Sequence, residues 1–383
     1  MAMHPEVRDL HKRKGAGARG ADEPAGAGPG VPGEAGLSQE EPLVSSIGSE
    51  LLHAPSLDAL GILNYGLHAQ APLDALARGT NNLGLTCYGN SLLRSLASIS
   101  RIHAWAQQHA AACADGAGCC LCLLHSDLTS LCNSSNASFD PQVMLQRRLW
   151  APDFVAIAPQ CPREAFSRLI DKCRAIDEQV LQSLCLDYNR SSLFTLPGWD
   201  IFGALVKRRT ECTSCGRLCV RHDYEDFMSV AIPSGREVTV YRALADEQEP
   251  EALRVDDRCV RCKHTACMTR EMTVVRWPRV LVVQFKRWSV GAMGRRFTKN
   301  SQPVAFDTHL VINLKPYKLR SVIVHQGQGW VSGHYVAYVS HGLEWYLTDD
   351  SACPSEVPWD VVQKQVAYML FYEAEDVHQG QVF

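Results

Sequence analysis

The chain reads as an α+β protein, on three observations. Residues 88 to about 190 carry apolar side chains at helical spacing, the apolar runs beyond Pro197 are short and strand-like, and two Cys-x-x-Cys pairs interrupt that second half. Helical periodicity followed by strand periodicity, rather than alternating with it, predicts helices and sheet in separate parts of the fold. At 383 residues, one large domain with a tail fits as well as two domains.

Residues 1–50 are rich in Gly, Ala, Pro and Glu and nearly lack large apolar side chains. Such a segment cannot repay the entropy of folding, so a disordered leader is expected. Its basic run, His11-Lys12-Arg13-Lys14, reads as a solvated charge cluster rather than a nuclear signal. Leu51, Leu52, Leu57, Leu60, Ile62 and Leu63 suggest a short helix lying against the main body.

The segment GTNNLGLTCYGNSLLRSLASIS, residues 79–100, brings a Gly- and Asn-rich loop to an apolar-periodic run. Leu92, Leu93, Leu96 and Ile99 predict a helix that Cys87 opens. A thiol at a helix N-terminus meets unpaired N–H groups and the positive end of the dipole, which favours thiolate and makes Cys87 a candidate nucleophile. Between Pro162 and Leu184, Phe166, Leu169, Ile170, Cys173, Ile176, Val180, Leu181 and Leu184 form a core stripe. Strands are expected over Phe202 to Val206, Cys219 to Tyr224, Phe227 to Ile232, Met272 to Val275 and Val280 to Phe285.

A cysteine nucleophile needs a base and a group to orient it, and both can lie far away in sequence. The segment SGHYVAYVSHGLEWYLTDDS offers His334 ahead of one strand-like run and Asp349 and Asp350 behind the next. Antiparallel pairing of the two would bring the histidine to the aspartates. His325, alone beside apolar neighbours, reads as a packed, hydrogen-bonded residue.

Sixteen cysteines with no apolar run near 18 residues and no secretory leader point to a reducing compartment, cytoplasmic or nuclear, and to thiols, metal ligands or catalysis. Cys212/Cys215 and Cys259/Cys262 are spaced so that each pair can reach one tetrahedral zinc, with His264 and Cys267 as alternatives. A second cluster, His109, Cys113, Cys119 and Cys122, also has ligand spacing, although Cys120 confuses its register. A net charge of −3 gives no case for nucleic acid or membrane, which sets aside a zinc scaffold for DNA or RNA.

Together the segments resemble the signature boxes of the ubiquitin-specific proteases, a family of papain-like cysteine deubiquitinases, over roughly residues 76–373 with a short tail, 374–383. Gly79, Asn82, Gly84, Thr86, Cys87, Tyr88, Asn90 and Ser91 match the family's catalytic loop, while Thr80, Leu85 and Gly89 depart from it. Tyr317, Leu319, Val322, Val324, His325, Gly327, Gly333, His334, Tyr335, Trp345, Asp349, Asp350, Ala367, Tyr368, Leu370, Phe371 and Tyr372 match the C-terminal box. Pro278, Leu281, Gln284, Lys286, Arg287 and Trp288 resemble a further family strand.

The resemblance implies a papain-like fold with a helical half, an antiparallel-sheet half and a zinc-tied fingers extension at about 203–275. It implies cleavage after the C-terminal glycine of ubiquitin by Cys87, with His334 as base, Asp349 as orienting acid and Asn82 lining the oxyanion hole. Asp350 is the alternative acid. Ubiquitin and ubiquitinated proteins are the implied partners, with adaptor proteins beside them. A cluster like that of His109 occurs in relatives from histone-modifying coactivator complexes. Gln160 to Phe166 only weakly match a ubiquitin-gripping box and lack its aspartate. Two alternatives stand beside this reading: an inactive ubiquitin-binding pseudo-protease, disfavoured because Cys87, His334, Asp349 and Asn82 are all present, and a protease for a ubiquitin-like modifier.

Overall fold

The computed structural model describes residues 76–375 apart from 133–136, 155–159, 184–195, 234–236, 254–257, 266, 291–296 and 330–331. The leader, the helix expected within 51–75 and most of the C-terminal tail lie outside the described residues.

The first half is helical, as its periodicity predicts. It comprises α1 (Cys87–Ala97), α2 (Ser100–Ala112), α3 (Cys120–Leu131), the single turn α4 (Gln142–Leu145) and the long α5 (Pro162–Ser183). Helix α1 is buried on every side. Its small residues make that tolerable: a Cβ at Gly89 would collide with Met144 of α4, and Ser95 Oγ meets Ser321 Oγ at 2.8 Å. The predicted stripe of α5 buries Phe166, Leu169, Ile170 and Cys173, and Phe166 stacks edge-on with Phe202 and Phe371 at 5.1 and 6.0 Å. Each such fully buried side chain contributes about 1.5–3 kcal/mol.

Several expected strand boundaries move: the strand expected from Met272 begins at Met268, and that expected over Phe227 to Ile232 covers only Met228–Val230. Phe202 ends a short helix, α6 (Pro197–Phe202), and the strand β1 begins only at Ala204 and runs to Cys212. Pro197 occupies the first turn, where its fixed φ suits a helix and its missing N–H costs nothing. Four strands, β1, β2 (Leu218–Glu225), β5 (Glu251–Ala252) and β6 (Met268–Arg276), form a sheet ordered β2-β1-β6-β5. This is the fingers extension. Its distal strands are half-exposed, and among the described residues the apolar cluster at the tip is built on Cys212, Cys259 and Cys267.

Between these lie β3 (Met228–Val230), β4 (Val238–Thr239) and α7 (Val240–Asp246). The second half is completed by β7 (Val280–Phe285), the hairpin β8 (Trp288–Val290) and β9 (Phe297–Lys299), then β10 (Val304–Ala305), β11 (His309–Ile312) and β12 (Lys315–Gln326). It ends with β13 (His334–His341), β14 (Glu344–Thr348), β15 (Ser355–Val357), α8 (Trp359–Val362) and β16 (Ala367–Ala374). Eight strands form the main sheet, ordered β15-β14-β13-β12-β16-β7-β3 with β11 on β12, antiparallel except for β3 against β7.

Both faces of this sheet are covered, which explains runs such as AYMLFYEA that are apolar without alternation. Successive residues go to opposite sides. Val282, Ile323, Ala337, Met369 and Phe371 pack toward the helices, while Leu281, Val322, Val336, Leu370 and Tyr372 join a second core on the far face. The helices therefore sit on the face of β12 and β13, and α1 lies directly against both strands. That contact carries Cys87 to the end of β13 where His334 begins. No helix of the described residues is long and apolar enough to cross a membrane.

Candidate active site

His334 is the first residue of β13, and Asp349 follows directly on β14. The two strands pair antiparallel, Ala337 opposite Thr348, so the histidine and the aspartate meet at one end of the hairpin. His334 Nε2 lies 2.6 Å from an Asp349 carboxylate oxygen. An Nε2–H donated to a carboxylate fixes the tautomer in which Nδ1 carries the lone pair, so Nδ1 is the nitrogen left to act as a base.

Asp350 turns elsewhere. Its backbone takes φ 44°, a left-handed value that Asp tolerates, and its carboxylate accepts from Asn82 Nδ2 and Asn90 Nδ2, each at 2.7 Å. The Asp350 carbonyl also accepts from Thr80 N at 2.7 Å. One side chain thus ties the catalytic loop to the β14 end. Gly79 is required there, because a Cβ would strike the backbone of Ser351. Asn90 is part of the matched loop, but its role needs a partner 260 residues away and is invisible in sequence.

Cys87 opens α1 as predicted, yet its thiol is not the ready thiolate that helix position alone suggests. It is buried, 8% exposed, and burial pushes its pKa up, helped by the Asp350 carboxylate. The backbone N–H groups of Tyr335, Tyr88 and Cys87 itself pull the other way. Desolvation outweighs the dipole here because it acts on the whole charge.

Asn82 is held on both sides. Its Oδ1 accepts from Gly84 N at 3.1 Å and Thr86 N at 3.0 Å, and one N–H is given to Asp350, which leaves the second N–H of the amide. Leu85, where the family has asparagine, sits at φ 55° and is 48% exposed. Asn is at ease in that conformation, whereas a leucine carries about 1–2 kcal/mol of strain.

Both predicted metal clusters assemble. Ligand atoms of Cys212, Cys215, Cys259 and Cys262 lie within 4.8 Å of one another, as do those of His109, Cys113, Cys119 and Cys122. In the fingers, Cys212–Cys262 and Cys215–Cys259 sulfurs are 3.6 and 3.7 Å apart. A tetrahedral ion with bonds of about 2.3 Å needs edges of about 3.8 Å, so a metal such as zinc fits without rearrangement. Cys267 approaches Cys212 at 3.5 Å, and its sulfur also lies 3.3 Å from the His264 carbonyl. In the second cluster His109 lies in the last turn of α2, Cys113 caps that helix, and Cys119 and Cys122 flank the start of α3, with His109 Nε2 3.1 Å from Cys119 Sγ. Cys120 points the opposite way, into the core, 3.7 Å from Cys173 of α5. The α3 helix turn thereby resolves the register.

The family model for ubiquitin carboxyl-terminal hydrolase matches residues 78–372. Ubiquitin carboxyl-terminal hydrolase 17-like protein D of Mus musculus is 26% identical over 353 residues, covering 87% of this chain and 62% of that protein. Ubiquitin carboxyl-terminal hydrolase 23 of Arabidopsis thaliana is 26% identical over 356 residues, covering 85% of this chain and 40% of its own length. The chain therefore spans under two thirds of these relatives. The yeast SAGA DUBm with mutant Sgf73 shares the fold with a TM-score of 0.65 at 21% identity, over 81% of this chain and 70% of that one. The SAGA Ubp8/Sgf11/Sus1/Sgf73 DUB module bound to ubiquitin aldehyde gives 0.63 at 21% identity, over 81% and 71%. With the family model running from ahead of the Cys87 loop through β12, β13 and β14 into β16, this chain belongs to the ubiquitin carboxyl-terminal hydrolase family.

Proposed function

We propose that the protein is a thiol-dependent deubiquitinase, hydrolysing the isopeptide or peptide bond after the C-terminal glycine of ubiquitin. The observation that carries this reading is the 2.6 Å contact of His334 Nε2 with Asp349 at the strand end against which the Cys87 helix packs. Asp349 holds the imidazole so that Nδ1 takes the thiol proton, and the thiolate attacks the glycine carbonyl. His334 then gives that proton to the departing amine. The acyl-enzyme is a thioester; water, losing a proton to Nδ1, adds to it, and collapse returns the proton to the Cys87 sulfur and frees the carboxylate. Because burial keeps Cys87 protonated on its own, the base is needed at every turnover. Labelling of the full chain by ubiquitin bearing a C-terminal electrophile tests the reading: a bond to Cys87 is expected, and failure to react at any cysteine rejects it.

The free N–H of Asn82 and the backbone N–H of Cys87 are the oxyanion donors in this mechanism. Such donors act on the charge that develops in the transition state. Asn82→Ala is expected to lower kcat by about 10²–10³ with KM nearly unchanged, measured on a ubiquitin C-terminal amide. An unchanged kcat would give the role to other donors.

Both thiol clusters are assigned to structural zinc. Four protein ligands leave no open position for water, so neither ion takes part in the reaction. Each would close a region with little core of its own, the fingers tip and the α2–α3 turn. Elemental analysis should find two zinc ions per chain, falling to one in the Cys119→Ser, Cys122→Ser double variant. One ion in wild type, unchanged by that pair of substitutions, would leave the fingers site alone. The similar SAGA module is bound to ubiquitin aldehyde and assembled with Sgf11, Sus1 and Sgf73, which supports ubiquitin and adaptor proteins as partners here, in cytoplasm or nucleus.

A further inference from the structure

We propose that Lys299 is a positioning residue for His334, clamping through His325 the start of the strand that carries the base. The inference rests on the thiol-hydrolase reading of Cys87 and His334. It concerns a side chain that is outside the reacting set and touches neither the thiol nor the imidazole of the pair.

Lys299 ends β9, opposite Trp288 in the hairpin, and its ammonium lies 6.0 Å above the Trp288 ring. It donates to the His325 carbonyl at 2.7 Å, to the Gly327 carbonyl at 2.7 Å and to His325 Nδ1 at 3.2 Å. An ammonium has three N–H donors, and here three acceptors from the end of β12 take them. The cation therefore pins the chain on both sides of Gln326, and Gln326 is the residue paired with His334.

The His325 ring passes this restraint across to β13. It stands edge-on to Trp288 at 5.4 Å and to Tyr335 at 4.8 Å, and Tyr335 is its partner in the ladder. On the other side of His334, Gly333 lies so close to His325 Nε2 that no Cβ fits. The ring thus contacts the residues immediately before and after the base. The Tyr335 backbone N–H, in turn, faces the Cys87 sulfur. His334 needs such support because it is the first residue of its strand, where a ladder ends and local opening is cheapest.

His325 is fitted to be a spacer rather than a second base. Burial above all, then the facing Lys299 and His334, push its pKa down to about 4, so the ring is neutral and its Nδ1 lone pair is free to accept from the ammonium. Burial and the nearby Arg287 also lower the pKa of Lys299. The titratable groups facing this pair are accordingly Arg287 and His334.

Lys299→Met keeps most of the length of the side chain and removes the donors. In the full chain it is expected to lower kcat for a ubiquitin C-terminal amide about 10- to 100-fold, with KM within about twofold, since misplacing a catalytic group by 1 Å can cost 10²-fold. Alkylation of Cys87 by iodoacetamide, followed by the mass of its peptide from pH 5 to 9, should shift to higher pH, because a displaced imidazole no longer takes the thiol proton. Lys299→Arg should recover most of both. A wild-type alkylation profile in Lys299→Met overturns the proposal. So does equal impairment of Met and Arg variants together with a lowered melting temperature, which would mark a merely structural lysine. If the wild-type chain does not cleave the ubiquitin amide while the alkylation shift is still seen, the substrate reading fails and the clamp stands.

Discussion

Cys87→Ala is expected to abolish hydrolysis of ubiquitin conjugates while leaving ubiquitin binding intact. Loss of the nucleophile in a comparable catalytic unit costs about 10⁶ in kcat, because base and oxyanion donors cannot substitute for the bond that forms. The structural cost is small by comparison. Cys87 is 8% exposed at the mouth of α1, and removing one sulfur there resembles losing a single buried methyl group, roughly 1 kcal/mol. Hydrolysis of a ubiquitin amide and binding of free ubiquitin should be measured on the same preparation. Turnover above background in Cys87→Ala would remove Cys87 from the mechanism, and loss of binding as well would point to misfolding of the loop.

Asp349→Ala should be the next most damaging change, lowering kcat by about 10⁴, the cost known for loss of an orienting acid. Asp350→Ala should cost less. Adjacent aspartates with similar exposure cannot be told apart by composition, but their partners differ. Asp349 meets the imidazole at 2.6 Å, whereas Asp350 is occupied by the amides of Asn82 and Asn90. Losing Asp350 frees the Asn82 amide to turn, so its effect should not exceed the 10²–10³ of that donor, roughly speaking. An active Asp349→Ala beside a dead Asp350→Ala would exchange the two roles.

Local chemistry was legible in this chain wherever a residue acts through its neighbours in sequence. The helical spacing of Leu92, Leu93 and Leu96 set the run of α1, and the Cys-x-x-Cys and His-x3-Cys spacings defined each candidate ligand pair, because both depend on a few consecutive residues. Cys87, His334 and Asp349 could be singled out because their segments match a known family, and the meeting of His334 with Asp349 followed from one hairpin pairing. The boundary at Phe202 was misread as strand, since a five-residue apolar run does not reveal its period.

What tertiary structure decided is set by contacts between distant parts of the chain. Burial against β13 raised the Cys87 thiol, against the expectation from its helix position. Other long-range contacts assigned Asp349 to the histidine and Asp350 to the loop amides, turned Cys120 toward Cys173 and away from the His109 cluster, and brought Lys299 to the end of β12. Each of these outcomes depends on desolvation or on a partner that may be hundreds of residues away in the chain, and neither quantity is a property of a local stretch. Sequence alone therefore marked which groups are candidates to react or to bind metal, and the fold determined which of them face one another.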